Sequence, residues 1–154
     1  MIRRKRLKGP VGMTVLALLA LGGPAAAATR DPAPVPVHVA GIKQTGPDQV
    51  LLILADESEQ KAVPIAVGRD QGIAIYLGKT RTETARPLTH DLLVAMLGAL
   101  GAVIERITVT DLKGDVYFAE ISLRAGGKVH PIDARPSDAI ALAVRLNAPM
   151  FSAP

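Results

Sequence analysis

The order in which apolar periodicity changes along the chain constrains its fold more than any other feature. Three strand-like runs come first: Val35 to about Lys43, Gln49 to Ala55, and Ala62 to Val67. The first two flank Thr45-Gly46-Pro47-Asp48, whose turn chemistry predicts a hairpin. Pro64 has no amide hydrogen for a ladder, so the third strand is expected at a sheet edge or with Pro64 turned outward. Ile73 and Leu77 stand at helical spacing in Arg69 to Leu77, and Gly78 is placed to end that short helix. Leu88, Leu92, Leu93, Met96, Leu97 and Leu100 then recur every three to four residues, predicting an amphipathic helix over Thr89 to Leu100. Its stripe of Leu92, Leu93, Met96 and Leu100 is expected to be buried against a sheet. Thr89 is the expected N-cap, Asp91 sits where the helix dipole favours an anion, and Gly101 is the expected stop.

Strand patterns return over Val103 to Thr110, Val116 to Arg124 and Lys128 to Asp133, with Lys113-Gly114 and Gly126-Gly127 as the joining turns. Ser137 to Leu146 closes the pattern as a helix apolar nearly all round, so it should be largely buried; Asn147 and Pro149 stop it. The order β-β-β-α-α-β-β-β-α is neither alternating nor all-β. It predicts one α+β domain, layered, with three helices packed on a mostly antiparallel sheet.

The N-terminus reads differently. Arg3, Arg4, Lys5, Arg6 and Lys8 precede an apolar stretch from Val11 to Leu21, then Ala25 to Ala28 offer small-residue cleavage sites after Ala27 or Ala28. That is the anatomy of a signal peptide over residues 1–28, and its apolar run is shorter than the roughly 20 residues a membrane span needs. Sec and Tat routes both fit, because Arg3-Arg4 partly resembles a twin-arginine signal. Residues 29–34, with Pro32 and Pro34, read as an extended linker, and residues 35–154 as the domain. The expected location is therefore the periplasm or the medium.

Cleavage would change the charge. Removing five basic side chains from the chain's 18 leaves 13 against 14 acidic ones, a net of −1. A nearly neutral surface gives no global attraction for nucleic acid, so any phosphate binding must be local. The absence of cysteine excludes disulfides, thiol catalysis and Cys-ligated zinc. With no Trp, two Tyr and two Phe, the core must be aliphatic, and successive bases have few aromatic platforms to stack on.

Two short stretches carry the candidate chemistry. Asp133, Arg135, Ser137 and Asp138 fall within six residues at a strand-to-helix junction, beside the free amides of a helix N-terminus. Such a junction can hold a phosphate or a metal ion. Its plainer reading is that Ser137 and Asp138 cap a helix while Asp133 and Arg135 form an ion pair. Arg86, Thr89, His90 and Asp91 form a second Arg-Pro junction, where His90 has the chemistry of a general acid or base. His38 and His130 fall inside strands and are read as structural or exposed. Gly68 to Gly72 lacks the Lys-Thr ending of a P-loop.

Arg86-Pro87-Leu88-Thr89-His90-Asp91-Leu92-Leu93, Tyr117-Phe118-Ala119 and Ile132-Asp133-Ala134-Arg135-Pro136-Ser137-Asp138-Ala139-Ile140-Ala141-Leu142-Ala143 resemble the signature blocks of the bifunctional nuclease domain family. Ala148-Pro149-Met150-Phe151 resembles its closing apolar strand. The resemblance implies an α/β domain, often self-associating, with nuclease activity on DNA and RNA in some members. Gln71 stands where the family usually carries Glu, leaving Asp70 as the neighbouring carboxylate, and the chain stops at Pro154, where relatives usually continue.

These observations together predict an exported nuclease dependent on magnesium or manganese. Asp91, Asp133 and Asp138 would hold the metal or activate water, Arg86, Arg135 and Ser137 would bind the phosphate, and His90 would move a proton. The alternative is a non-catalytic binding or assembly module whose polar junctions fasten helices and dimer contacts. A nuclease requires the two Arg-Pro junctions to converge on one open cleft.

Overall fold

The computed structural model describes residues 33–114 and 116–154; the expected signal peptide and most of the linker lie outside these described residues. The chain forms β1 (Val35–Gln44), β2 (Gln49–Asp56), β3 (Ala62–Gly68), α1 (Arg69–Thr80), α2 (Thr89–Ala99), β4 (Val103–Lys113), β5 (Val116–Ala125), β6 (Lys128–Ala134), α3 (Pro136–Leu146) and β7 (Met150–Ser152). The first hairpin closes where the amides of Thr45 and Gly46 donate to the Gln49 carbonyl, at 3.1 and 3.3 Å. Asp56 organises the next turn, accepting from the Ser58 hydroxyl at 2.9 Å and the Lys61 amide at 3.2 Å.

One seven-stranded sheet results, in the order β3-β2-β1-β7-β4-β5-β6. The α+β expectation holds, with three helices, but the sheet is mixed rather than mostly antiparallel. β7 lies antiparallel to β1 and parallel to β4, and so stitches the β1–β3 hairpin unit to the β4–β6 meander. The reason is topological: α3 carries the chain back from edge strand β6 to the middle of the sheet, and β7 enters there. β3 is an edge strand, as its Pro64 requires. Register shifts at Val39/Gly41, Ile104/Arg106 and Val109/Asp111 place bulges in β1 and β4, features that increase local twist.

The core is aliphatic. Leu52, Leu54, Ile75, Ile107 and Ile140 are its largest fully buried side chains, and α3 contributes the continuous buried run Ala139 to Ala143. α3 packs on β4 and β5, with α1 and α2 against its other sides. Close approach depends on two glycines: a Cβ at Gly72 would lie 2.9 Å from the branched carbons of Val50, and one at Gly78 would lie 2.8 Å from Val144. Gly78 therefore lies inside α1 rather than ending it. The helix continues to Thr80 and stops at Arg81, in the left-handed conformation with φ 52°.

α2 departs most from expectation. It has no buried residue, and Leu92, Leu93, Met96 and Leu100 are 55, 40, 52 and 77% exposed. Val94 and Leu97 are the side chains it turns toward the core. Periodicity identified the helix, but α2 rides on α3 as a third layer instead of lying on the sheet, so its broad apolar stripe faces outward. Its N-cap is Leu88, not Thr89.

Candidate functional site

The structure brings the two Arg-Pro junctions to one open cleft. Its volume is about 1090 Å³, and its lining includes Asp70 and Gln71 of α1, His90 of α2, Asp133 of β6, Arg135 and Asp138. β6 ends at Ala134 because Pro136 cannot continue a ladder and is suited to the first position of α3. Arg135 becomes the N-cap residue, which puts Asp138 in the first turn, facing the start of α2. Asp138 uses its two oxygens on two partners: Oδ1 lies 3.4 Å from His90 Nε2, and Oδ2 accepts from Arg135 Nε at 2.6 Å. His90 is 12% exposed at its side chain while Arg135 is 68% exposed, so a sheltered imidazole and an accessible guanidinium share one carboxylate.

The other expected site residues lie elsewhere. Asp91 points away from the cleft, accepting from Arg145 Nε at 2.6 Å and from the Leu88 amide at 2.9 Å. These two donors, the Arg145 hydrogen bond foremost, hold its carboxyl below the ordinary aspartate range. Arg86 is exposed and does not line the cleft. Ser137 is buried beside a smaller neighbouring pocket. Asp133 lines the cleft from its position opposite Glu120 in the sheet. Its expected ion pair with Arg135 is replaced by Arg135–Asp138, and neither Ser137 nor Asp138 caps α3 by a side-chain hydrogen bond.

Asp91, Asp133 and Asp138 therefore do not surround one cation. Among the described residues no three His, Asp or Glu side chains come close enough to hold a metal ion. The physical reason is helical: Asp91 follows His90 by about 100° around α2, so when His90 faces Asp138 its neighbour faces α3's far end.

A profile for the bifunctional nuclease domain matches residues 52–154. The chain belongs to that family. An uncharacterised protein of Mycobacterium tuberculosis is 34% identical over 116 residues, covering 75% of this chain and 69% of that protein. Bifunctional nuclease 2 of Arabidopsis thaliana is 28% identical over 107 residues, 68% of this chain but 32% of its own length. Bifunctional nuclease 1 of the same plant is 26% identical, and 33% of it is covered. The bifunctional nuclease domain thus spans about a third of these plant relatives.

Within this bifunctional nuclease domain, Asp70 and Gln71 both line the cleft, so the carboxylate beside Gln71 occupies the same wall. Sequence reasoning missed Arg145. Its side chain is 8% exposed and also donates from Nη1 to the carbonyls of Ala74 and Ala141, both at 2.9 Å, tying α1, α2 and α3 together. The available signal was a lone cation in the last turn of an otherwise apolar helix.

Proposed function

We propose that this bifunctional nuclease domain hydrolyses phosphodiester bonds of DNA or RNA in the cleft between α1, α2 and α3. The observation that carries this reading is the shared Asp138 carboxylate, which joins the sheltered His90 to the exposed Arg135 in one open space. Asp138 faces Nε2 of His90, which favours hydrogen on that nitrogen and leaves Nδ1 to take a proton from water. Arg135 supplies the positive group for the phosphate, with Arg86 on the exposed rim before α2.

Asp70, Asp133 and Asp138 leave the cleft rich in carboxylates, and a polyanion enters such a space only with their charge offset. That supports a magnesium or manganese requirement, although no triad of donors converges among the described residues. The tripartite N-terminus supports export, with intact mass of the native protein beginning at Ala28 or Thr29 as its check.

The test is cleavage of single- and double-stranded DNA and RNA by the purified protein with magnesium, manganese or EDTA. Asp138→Asn is expected to lower the rate by about 100-fold or more. Its ion pair with the exposed Arg135 is worth about 1 kcal/mol or less, so melting should move by only a few degrees. Unchanged activity in a folded Asp138→Asn protein refutes the assignment. A second reading, an assembly module, is favoured by the exposed apolar face of α2; concentration-dependent self-association with no cleavage under any metal condition would establish it instead.

A further inference from the structure

Beside the cleft lies a smaller pocket of about 320 Å³, lined by Gly68 and Gln71 at the start of α1 and by Arg135, Pro136 and Ser137 at the start of α3. Two helices, of 12 and 11 residues, thus bring their first turns to one space. Each first turn presents amide hydrogens without intrahelical partners and the positive end of a helix dipole. In α3, Pro136 has no amide hydrogen, and the amides of Asp138 and Ala139 already donate to the Arg135 carbonyl at 3.1 Å. The Ser137 amide is the donor left over.

Ser137 supplies an independent observation. The residue is 7% exposed, and its hydroxyl has no hydrogen-bond partner among the described residues. Yet no buried side-chain oxygen or nitrogen there is both partnerless and sealed from solvent. The hydroxyl therefore opens into the pocket it lines, more than nine-tenths buried and without an acceptor or donor of its own. Arg135 adds a guanidinium whose Nε is taken by Asp138 but whose terminal nitrogens are not bonded to it. Gln71 adds a neutral amide where a carboxylate would repel an anion. A hydroxyl, paired helix N-termini and a guanidinium around a small space are the recognition chemistry of a phosphate group.

We propose that this pocket is a phosphate subsite, holding the backbone phosphate next to the one cleaved. Arg135 and Gln71 line both spaces, so one wall separates the two positions. The identity of the ligand as a nucleic-acid strand rests on the nuclease reading; binding of a phosphate does not.

The experiment separates these. Inorganic phosphate titrated into the protein should give saturable amide shifts at Gln71 and Ser137 in nitrogen–proton correlation spectra. Gln71→Glu should weaken phosphate at least about tenfold, and Ser137→Ala about threefold to tenfold. A short oligonucleotide should displace the phosphate, and Gln71→Glu should raise its KM. Phosphate shifts without cleavage of any nucleic acid would keep the anion site and overturn the nuclease reading. Cleavage with no shift at these amides, or with unaltered KM in folded Gln71→Glu and Ser137→Ala variants, would overturn the subsite and leave the nuclease. Phosphate that no oligonucleotide displaces would also overturn it as a strand subsite. Should Gln71→Glu fail to fold, Ser137→Ala carries the same comparison.

Discussion

Breaking the Asp91–Arg145 contact tests whether Asp91 is a latch between helices or a ligand of the reaction. Arg145 is 8% exposed and Asp91 36%, so the pair falls between two limits. Losing one partner of a fully buried pair costs about 3–5 kcal/mol, and a surface pair is worth about 1 or less. An intermediate value of about 2 kcal/mol is appropriate, because water screens the carboxylate while the guanidinium keeps only the Ala74 and Ala141 carbonyls. The Leu88 amide adds a first-turn cap worth about 1 kcal/mol, which Asn retains and Ala does not. For a domain of this size about 3–5 °C accompanies each kcal/mol, so Asp91→Asn should melt about 6–10 °C lower and Asp91→Ala lower still. A double-mutant cycle with Arg145→Met, read by thermal or urea unfolding, should return a coupling of about 1 kcal/mol or more.

The same carboxyl sets a pH dependence. Its folded-state pKa is depressed, so its contribution is present above the unfolded value of about 3.9 and is lost as pH falls through the lower folded value. The wild type should lose stability below about pH 4 more steeply than Asp91→Asn does. An Asp91→Asn protein that melts within about 2 °C of wild type would refute the latch. A carboxylate serving only as a metal ligand would behave in that way, since its neutralisation relieves repulsion in the metal-free protein.

Gly78→Ala should destabilise, by about 1–3 kcal/mol, despite the better helix propensity of Ala, because the new methyl would lie 2.6 Å from Arg145 Nη1 and 2.8 Å from Val144 Cγ2. A higher melting temperature would show that Arg145 yields freely. Met96→Asp should change monomer stability by about 1 kcal/mol or less, since Met96 is 52% exposed, and should abolish self-association measured by light scattering. Unfolding of that variant at low concentration would place the α2 stripe in the monomer core after all.

Much of the site was legible because it is local. Arg135-Pro136-Ser137-Asp138 is a strand end followed by a helix start, and the chemistry of Pro at the first helical position dictates that geometry within four residues. Side-chain direction within α2 was equally local, yet its consequence was not. The turn of about 100° per residue separates His90 from Asp91 in any helix, but which of the two meets Asp138 depends on how α2 is rotated against α3. Arg145 shows the same limit from the other side: a cation in the last turn of an apolar helix has no visible partner until residues 54 positions apart are in contact.

The sequence by itself determined the strand and helix identities from β1 to α3, the edge position of β3, the buried character of α3 and the family, because each follows from period, Gly/Pro placement or a contiguous motif. Only the tertiary structure decided the parallel β7–β4 pairing, the outward-facing α2 stripe, the division of Asp91 from Asp138, and the pocket at the first turns of α1 and α3. Each of these is set by how finished elements pack against one another over long sequence separations, and amphipathic period specifies a face of an element without specifying what that face will meet.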